Sequence, residues 1–350
     1  MEKQNITIYE IAKEAGVSPS TVSRVLTGSA RVRQDKKEAV EALIEKYNFK
    51  PNAIARSLST PRQQVIGLIA ADVRNEFYAN LYVACEMAAA RRGYMLMLYN
   101  SLGQLDYEKN ILGMLLEQRV AGVIHLGGAA DDMETDAEYV KLLNERPDGI
   151  PYVTTGKFDG VKECYRVQVD AKAAVDLLAE HLKENGYRRI ALLGGRYDVL
   201  STHTKYDQFV KRAQEIGFAT GKEYLDNWGD YSPQLGEETM DALFERLEKA
   251  KKPLPEAIIA INDGTAVGVL RSIRHHGYRV PEDIAVVGYD NVCVSEFVEP
   301  KLTTIDYDYD AFGRKLVDTV IRAVEGKKKI PSLQLLKPDI IVRESSRPRG

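Results

Sequence analysis

Uninterrupted apolar runs constrain this chain most. They include "VIGLIA" (65–70), "YMLMLYN" (94–100), "AGVIHLGG" (121–128), "IPYVTTG" (150–156), "RIALLGG" (189–195), "AIIAIN" (257–262) and "IAVVGYD" (284–290). A strand with one face in water alternates apolar and polar residues. These runs do not, so both faces of their sheets must be covered. Helical stretches separate them, and strands alternating with helices build parallel sheets inside helical layers. Length and the spread of the runs suggest two such sheets. Ligands of such folds bind beyond the carboxyl ends of the strands, and between two lobes they bind in the cleft.

The first sixty residues obey different rules. "TIYEIAKEAG" opens with a capping box, in which Thr7 and Glu10 exchange hydrogen bonds across the first turn. Ile8, Ile11, Ala12 and Ala15 then form one apolar stripe, and Gly16 ends the helix in a left-handed cap. In "SPSTVSRVL", Ser18 is a second N-cap and Pro19 takes the first helical position, where its missing N–H costs little. Val22, Val25 and Leu26 share one face, leaving Ser20, Thr21, Ser23 and Arg24 mostly outward. A third helix around 34–47 repeats the apolar pattern. Two short helices joined by a tight glycine turn form a helix-turn-helix, whose second helix lies in the DNA major groove. Hydroxyls and helix N-terminal N–H groups suit phosphates and base edges, and an arginine fork suits guanine. A small three-helix protein-interaction domain is the bland alternative. Charge favours DNA: residues 1–62 hold 11 Lys and Arg against 7 Asp and Glu, whereas the remainder holds 37 against 44. A basic head can approach a polyanion that an acidic body would repel.

"ITIYEIAKEAGVSPSTVSRVL", followed by "YNFKPNAIARSL", strongly resembles the DNA-binding head of the LacI/GalR family of transcriptional regulators. The resemblance implies that Pro19, Ser20 and Arg24 reach bases, Pro19 by apolar contact only. Thr7, Ser18, Thr21 and Ser23 match positions that contact phosphates or support the motif. Thr27 and Arg33 depart from the usual asparagine and serine. It also implies a hinge helix over about 52–60 that forms only on DNA, paired with that of a dimer mate in the minor groove. There Leu58 would wedge between base steps, with Ala55 near the groove floor and Asn52 and Arg56 near the backbone. Read by itself, this stretch is a linker too short to hold a helix.

The same family implies the body: two doubly wound, periplasmic-binding-protein-like α/β lobes behind an all-α head of residues 1–61. Within 62–350 the N-lobe is expected at 62–160 and 292–321, and the C-lobe at 162–290 and 323–345. Phe77 and Tyr78 match cleft aromatics, Tyr231 a second stacking aromatic, and Asn262 of "NDGTAVG" a partner for ligand hydroxyls. Asp290 matches a ligand-binding carboxylate near the lobe crossing, and Asp263 is expected to be a structural cap. Lys205 stands where relatives carry arginine; it keeps the charge and loses the planar fork. Asp170 reads as a helix N-cap, His275 and His276 as solvated, His203 as a surface residue.

No enzyme site assembles. "LLGGRYD" lacks the spacing and the Lys-Ser/Thr of a phosphate-binding loop, and no nucleophile elbow or metal-ligand cluster appears. Catalytic residues, metals and cofactors are therefore expected to be none. Cys85, Cys164 and Cys293 read as inert packing thiols, and their odd number beside a polar N-terminus suggests a cytoplasmic protein. The expectation is a repressor binding palindromic operator DNA as a homodimer under a sugar-like effector. A tetramer is not expected, because no leucine heptads precede the C-terminus. A transport solute-binding protein would account for the body but not the head. A phosphocarrier protein as effector, as in the catabolite-control branch, is disfavoured by Glu299, where that branch carries arginine.

Overall fold

The computed structural model describes residues 6–27, 32–49, 64–147, 149–226, 229–327 and 329–348. The chain divides into two compact units, 1–63 and 64–350.

The first unit holds α1 (Ile8–Glu14), α2 (Pro19–Thr27) and α3 (Gln34–Lys46). The capping box at Thr7 forms as expected: its hydroxyl accepts from the Glu10 N–H, and the Glu10 carboxylate accepts from the Thr7 N–H at 2.7 Å. Ile11, Ala12, Val22 and Val40 make a small buried core. Glu14 ties α1 to α3 by accepting from Lys46 at 2.8 Å and from the Tyr47 hydroxyl at 2.9 Å.

The second unit alternates strands and helices around two six-stranded sheets. In the first lobe these are β1 (Val65–Ala70), α4 (Glu76–Arg91), β2 (Met95–Asn100), α5 (Leu105–Glu117), β3 (Gly122–Leu126), α6 (Ala137–Asn144), β4 (Tyr152–Thr154) and β5 (Cys164–Val169). The second lobe starts with α7 (Ala171–Glu184), β6 (Ile190–Leu193), α8 (Leu200–Ile216) and β7 (Leu225–Asp226). It continues through α9 (Pro233–Lys249), β8 (Ala257–Ala260), α10 (Asp263–His275), β9 (Ala285–Tyr289), α11 (Val294–Phe297) and β10 (Thr303–Asp306). The last elements are α12 (Tyr309–Val324), β11 (Leu333–Leu336) and β12 (Asp339–Ile341). The sheet orders are β11-β5-β4-β3-β1-β2 and β12-β10-β9-β8-β6-β7. Every pairing is parallel except β12 on β10. Six of the seven apolar runs form strands buried throughout, β1, β3, β4, β6, β8 and β9, whereas β2 lies at a sheet edge and is only half-buried, with Met95 exposed.

Strand membership corrects the expected lobe limits. β5 and β11 belong to the first sheet, whereas β10 and β12 belong to the second. The chain therefore crosses between lobes at 169–171, 306–309 and 336–339, not near 160–162, 290–292 and 321–323. The cause is chemical. β5 carries Arg166 and Gln168 among its apolar residues, and β11 and β12 lie at sheet edges with half of their side chains near water. None of the three reads as an uninterrupted apolar run.

Among the described residues, no helix is long and apolar enough to cross a membrane. Cys85 is buried and burial pushes its thiol pKa up, but Cys293 is exposed and so is not a packing residue.

Candidate functional site

In the first unit, α2 divides its faces as the spacing requires. Val22 is fully buried, Val25 and Leu26 pack against the core, and Pro19, Ser20 and Arg24 are exposed. Ser18 caps the helix: its hydroxyl accepts from the Thr21 N–H at 3.3 Å and bonds the hydroxyls of Ser20 (2.8 Å) and Thr21 (2.9 Å). These three hydroxyls occupy one another in the free protein, so contacts to a nucleic acid exchange bonds and do not only add them. Ser23 is half-buried. Arg24 forms no ion pair among the described residues, leaving its guanidinium free for an outside acceptor. Asn52, Ala55, Arg56 and Leu58 lie outside the described residues.

In the second unit, strand-end loops of the two lobes enclose a cleft of two chambers, about 430 and 570 Å³. Phe77, Tyr78, Lys205, Tyr231, Asn262 and Asp290 all line the first. Asn75, Tyr78, Asp131, Tyr231, Asn262 and Asp290 line both, forming a waist between them. The six residues singled out in the sequence therefore meet in one place.

Each is held by its own element. Asn75 caps α4 by accepting from the Phe77 N–H at 3.0 Å, setting Phe77 and Tyr78 at the helix start. Phe77 turns its edge toward Tyr78 (5.1 Å between centroids), Tyr307 (5.9 Å) and Tyr309 (6.0 Å), so it also supports the lobe crossing. The Tyr231 hydroxyl bonds Thr202 at 2.9 Å. Lys205 donates to the Ile261 carbonyl at 3.1 Å, and its ammonium lies 4.1 Å from the centre of the Tyr289 ring. Burial lowers its pKa, while the carboxylates of Asp290 and Asp131 act in the opposite direction. Asp290 is 7% exposed and accepts from the Tyr307 hydroxyl at 2.9 Å. Burial pushes its carboxyl up, opposed by Lys205. Its backbone has φ 99°, a strained conformation for a residue with a side chain, held by an N–H bond to Ile305 and a Tyr309 bond to its carbonyl. Such strain persists where surrounding structure over-determines it, here at the strand end that meets both lobes.

The capping role expected of Asp263 falls to Asn262, which also lines the cleft as expected. Asn262 is the N-cap of α10, accepting from Thr265 N–H at 2.9 Å and donating to the Tyr231 carbonyl at 3.2 Å. Its remaining capacity is one N–H and one lone pair. Asp263 is fully buried one position inside the helix, accepting from Thr304 at 2.6 Å and from the Val292 N–H at 2.9 Å. It fastens α10 to the loops around β9 and β10 and is not a cap. Asp170 does cap α7, at 3.0 Å from Ala173 N–H. His203 bonds the Tyr197 carbonyl and does not line either chamber. His275 and His276 are both exposed as expected, and His276 also stacks on Phe244 with centroids 4.3 Å apart.

The residue the sequence reading missed is Asp131. It ends a short 3₁₀ turn after β3, and its carboxylate accepts from the Ser201 hydroxyl at 2.5 Å and the Ser201 N–H at 3.0 Å. Ser201 begins α8 in the opposite lobe, so this pair latches the cleft. Met133 N–H to the Asp198 carbonyl (3.3 Å) and Cys293 N–H to Glu76 (3.2 Å) add two more interlobe bonds. Burial raises the Asp131 carboxyl to about 6, more than its two Ser201 bonds lower it.

Beneath the latch lies a buried polar network. Glu108 accepts from Ser101 at 2.7 Å and the Ala129 N–H at 3.0 Å, and lies 3.1 Å from His125. His125 in turn meets the Tyr152 hydroxyl at 2.6 Å. Burial raises the Glu108 pKa, but His125, Ser101 and Ala129 together bring it below the ordinary value. A Cβ at Gly128 would lie 2.0 Å from the Glu108 carboxylate, and one at Gly127 2.1 Å from the Tyr78 hydroxyl. Two glycines with φ of 60° and 70° are therefore what let this turn pass between them.

Comparison with known proteins follows this division. Residues 7–52 match the bacterial regulatory proteins of the lacI family, and residues 179–346 match a periplasmic binding protein-like domain. The HTH-type transcriptional repressor PurR of Glaesserella parasuis serovar 5 (strain SH0165) is 31% identical over 347 residues, covering 97% of this chain and 98% of its own. Catabolite control protein A of Priestia megaterium is 32% identical over 317 residues, 89% of this chain and 92% of its own. The crystal structure of the Lac repressor dimer bound to operator and the anti-inducer ONPF aligns with a TM-score of 0.83 and 26% identity, over 98% of this chain and all of that one.

Proposed function

The chain belongs to the lacI family of bacterial regulatory proteins, and from that premise we propose a repressor that binds a palindromic operator as a homodimer. A small hydroxyl-rich effector in the interlobe cleft sets its affinity for DNA. The observation that carries the DNA reading is the outward face of α2, where Pro19, Ser20 and Arg24 are exposed over a fully buried Val22. One short recognition helix reads too few base pairs alone, and two-fold symmetry doubles the site. Asn52, Ala55, Arg56 and Leu58 would complete the contact at the minor groove, with Leu58 as the apolar wedge.

The effector would bear on the interlobe latch. A ligand that binds the latched and unlatched lobes unequally shifts the balance between them, and with it the spacing of two DNA heads. Tyr78 and Tyr231 supply apolar faces for a sugar ring; Asp290 and the spare capacity of Asn262 supply hydrogen bonds. The likeness to Catabolite control protein A raises a protein effector as the second reading, which the exposed acid Glu299 disfavours for a phosphoprotein.

The test is operator selection from random duplexes, followed by gel shift with and without ligands. Recovery of an inverted repeat whose binding is lost in Arg24→Ala supports the reading, as does a Leu58→Ala protein that loses specific binding more than non-specific. Binding without sequence preference, or binding indifferent to Arg24, sinks it.

A further inference from the structure

The two chambers of the cleft differ in charge, and the difference points to the chemistry of the ligand. The first chamber adds Lys157, Arg166 and Lys205 to the shared waist. The second adds Asp72, Glu76, Asp132 and Asp230, and its two arginines are already bound: Arg74 to Asp72 at 2.6 Å, Arg196 to Asp198 at 2.6 Å. One chamber can therefore accept an anion that the other would repel.

Within the first chamber the cations are not equivalent. Lys157 is paired with Asp159 at 2.7 Å. Lys205 is held by the Ile261 carbonyl and the Tyr289 face, and the waist carboxylates Asp131 and Asp290 lie within its field. Arg166 has no ion pair and no side-chain hydrogen bond among the described residues. It is partly buried on β5, two residues before Gln168 and so on the same face of the strand. Gln168 spends its amide N–H groups on the carbonyls of Thr155 (3.0 Å) and Gly156 (3.2 Å), which leaves its oxygen free to accept. A guanidinium fork and an acceptor thus stand side by side at the end of a cavity whose waist is aromatic. A polar pair on β5 that lines the chamber is what a ligand would explain.

We propose that the effector is a sugar bearing a single carboxylate, a uronic or aldonic acid alone or at the end of a short oligosaccharide. The carboxylate lies on Arg166, and the neutral hydroxylated part passes the waist toward the acidic chamber. This rests on the reading of the cleft as an effector site and adds the class of effector. One uncompensated cation matches one negative charge. A phosphate dianion would carry a second charge that Arg166 alone does not match, since Lys205 is already shared with Asp131 and Asp290. An arginine fork binds a carboxylate bidentately, which gives direction as well as attraction.

The experiment uses the full chain, and thermal shift and calorimetry with D-glucuronate, D-galacturonate and lactobionate. The neutral parents D-glucose, D-galactose and lactose run beside them, with glucose 6-phosphate as the dianion. At least one acid is expected to bind about ten-fold or more tightly than its own neutral parent, since a charge-assisted fork contributes at least that much. Arg166→Gln should abolish that preference, and Arg166→Lys, which keeps charge and loses the fork, should retain part of it. The proposal is overturned if the neutral parents or glucose 6-phosphate bind better, or if the acid preference survives Arg166→Gln; the sugar-effector reading then stands. If none of the seven compounds binds, both fall.

Discussion

The helix proposed to read DNA and the cleft proposed to hold the effector are built in opposite ways. On α2 the side chains proposed to reach bases, Pro19, Ser20 and Arg24, are exposed and lie within six positions of one another, on a core of a few residues. In the cleft they are buried or half-buried, and drawn from strand ends far apart in the chain. Asp131 and Ser201 are separated by 70 positions and Glu76 and Cys293 by 217, yet each pair is in hydrogen-bond contact. On the first surface the Ser18, Ser20 and Thr21 hydroxyls bond one another and must exchange those bonds, while Arg24 has no ion pair among the described residues. In the cleft several of the polar groups are bonded across the lobes and some of those bonds must be given up. Contacts on the helix therefore act locally, whereas the cleft couples ligand binding to lobe geometry.

The largest effect expected is in the body. Glu108→Leu leaves His125 without its buried partner and strips acceptors from Ser101 and the Ala129 N–H, which should cost about 3–5 kcal/mol. Chemical denaturation should show the body transition lowered while the helical signal of the head is retained. Ile11→Ala should do the reverse. Truncating a fully buried core residue costs about 2–5 kcal/mol. A head with so small a core cannot absorb that, so specific DNA binding should vanish while the body melts as before. A matching fall in the body transition would show that the two units are energetically one.

Arg24→Ala is a smaller and purely functional loss. The side chain is exposed, so stability should hold, while specific operator affinity falls by about 1–3 kcal/mol, the worth of one bidentate base contact. Equal losses on operator and random duplex would move Arg24 from base reading to phosphate contact.

A pH dependence acts on the same scale as the Arg24 loss. Burial pushes the Asp131 carboxyl up to about 6, above its ordinary value of 3.8. A carboxyl raised by folding favours the folded state most when protonated, so its contribution is full below 3.8 and is lost as pH rises through about 6. Asp131→Asn should flatten the change in body melting temperature over that window. A variant with the same pH profile as the natural protein would show that burial at the latch does not govern this carboxyl.

These contrasts track what could be read in advance. The capping box at Thr7, the Ser18 cap, the division of α2 into Val22 and Arg24 faces, and the runs that became β1, β3, β6, β8 and β9 all lie within a few residues of chain. Their causes are periodicity and local hydrogen bonding. Tyr78, Tyr231 and Asp290 were placed by resemblance to the family, and each lies past a strand end, where this architecture opens its cleft. What escaped was β5, whose Arg166 and Gln168 broke the apolar pattern; in hindsight that break was the trace of a cavity wall. That Asn262 and not Asp263 caps the helix was equally hidden. Two adjacent residues can each cap a helix, and the choice depends on whether Thr304 and Val292 N–H stand ready for the second.

Sequence alone, then, determined the two kinds of unit, the division of α2 into a buried and an exposed face, and the strand ends that line a cavity, because those follow from side-chain period and backbone chemistry. Only the tertiary structure decided where the chain crosses between lobes, that Asp131 latches them, and that Arg166 is the first-chamber cation without an ion pair or side-chain hydrogen bond among the described residues. Those depend on which distant groups come within about 3 Å of one another, and hydrogen bonding and charge compensation at that range leave no mark on local sequence.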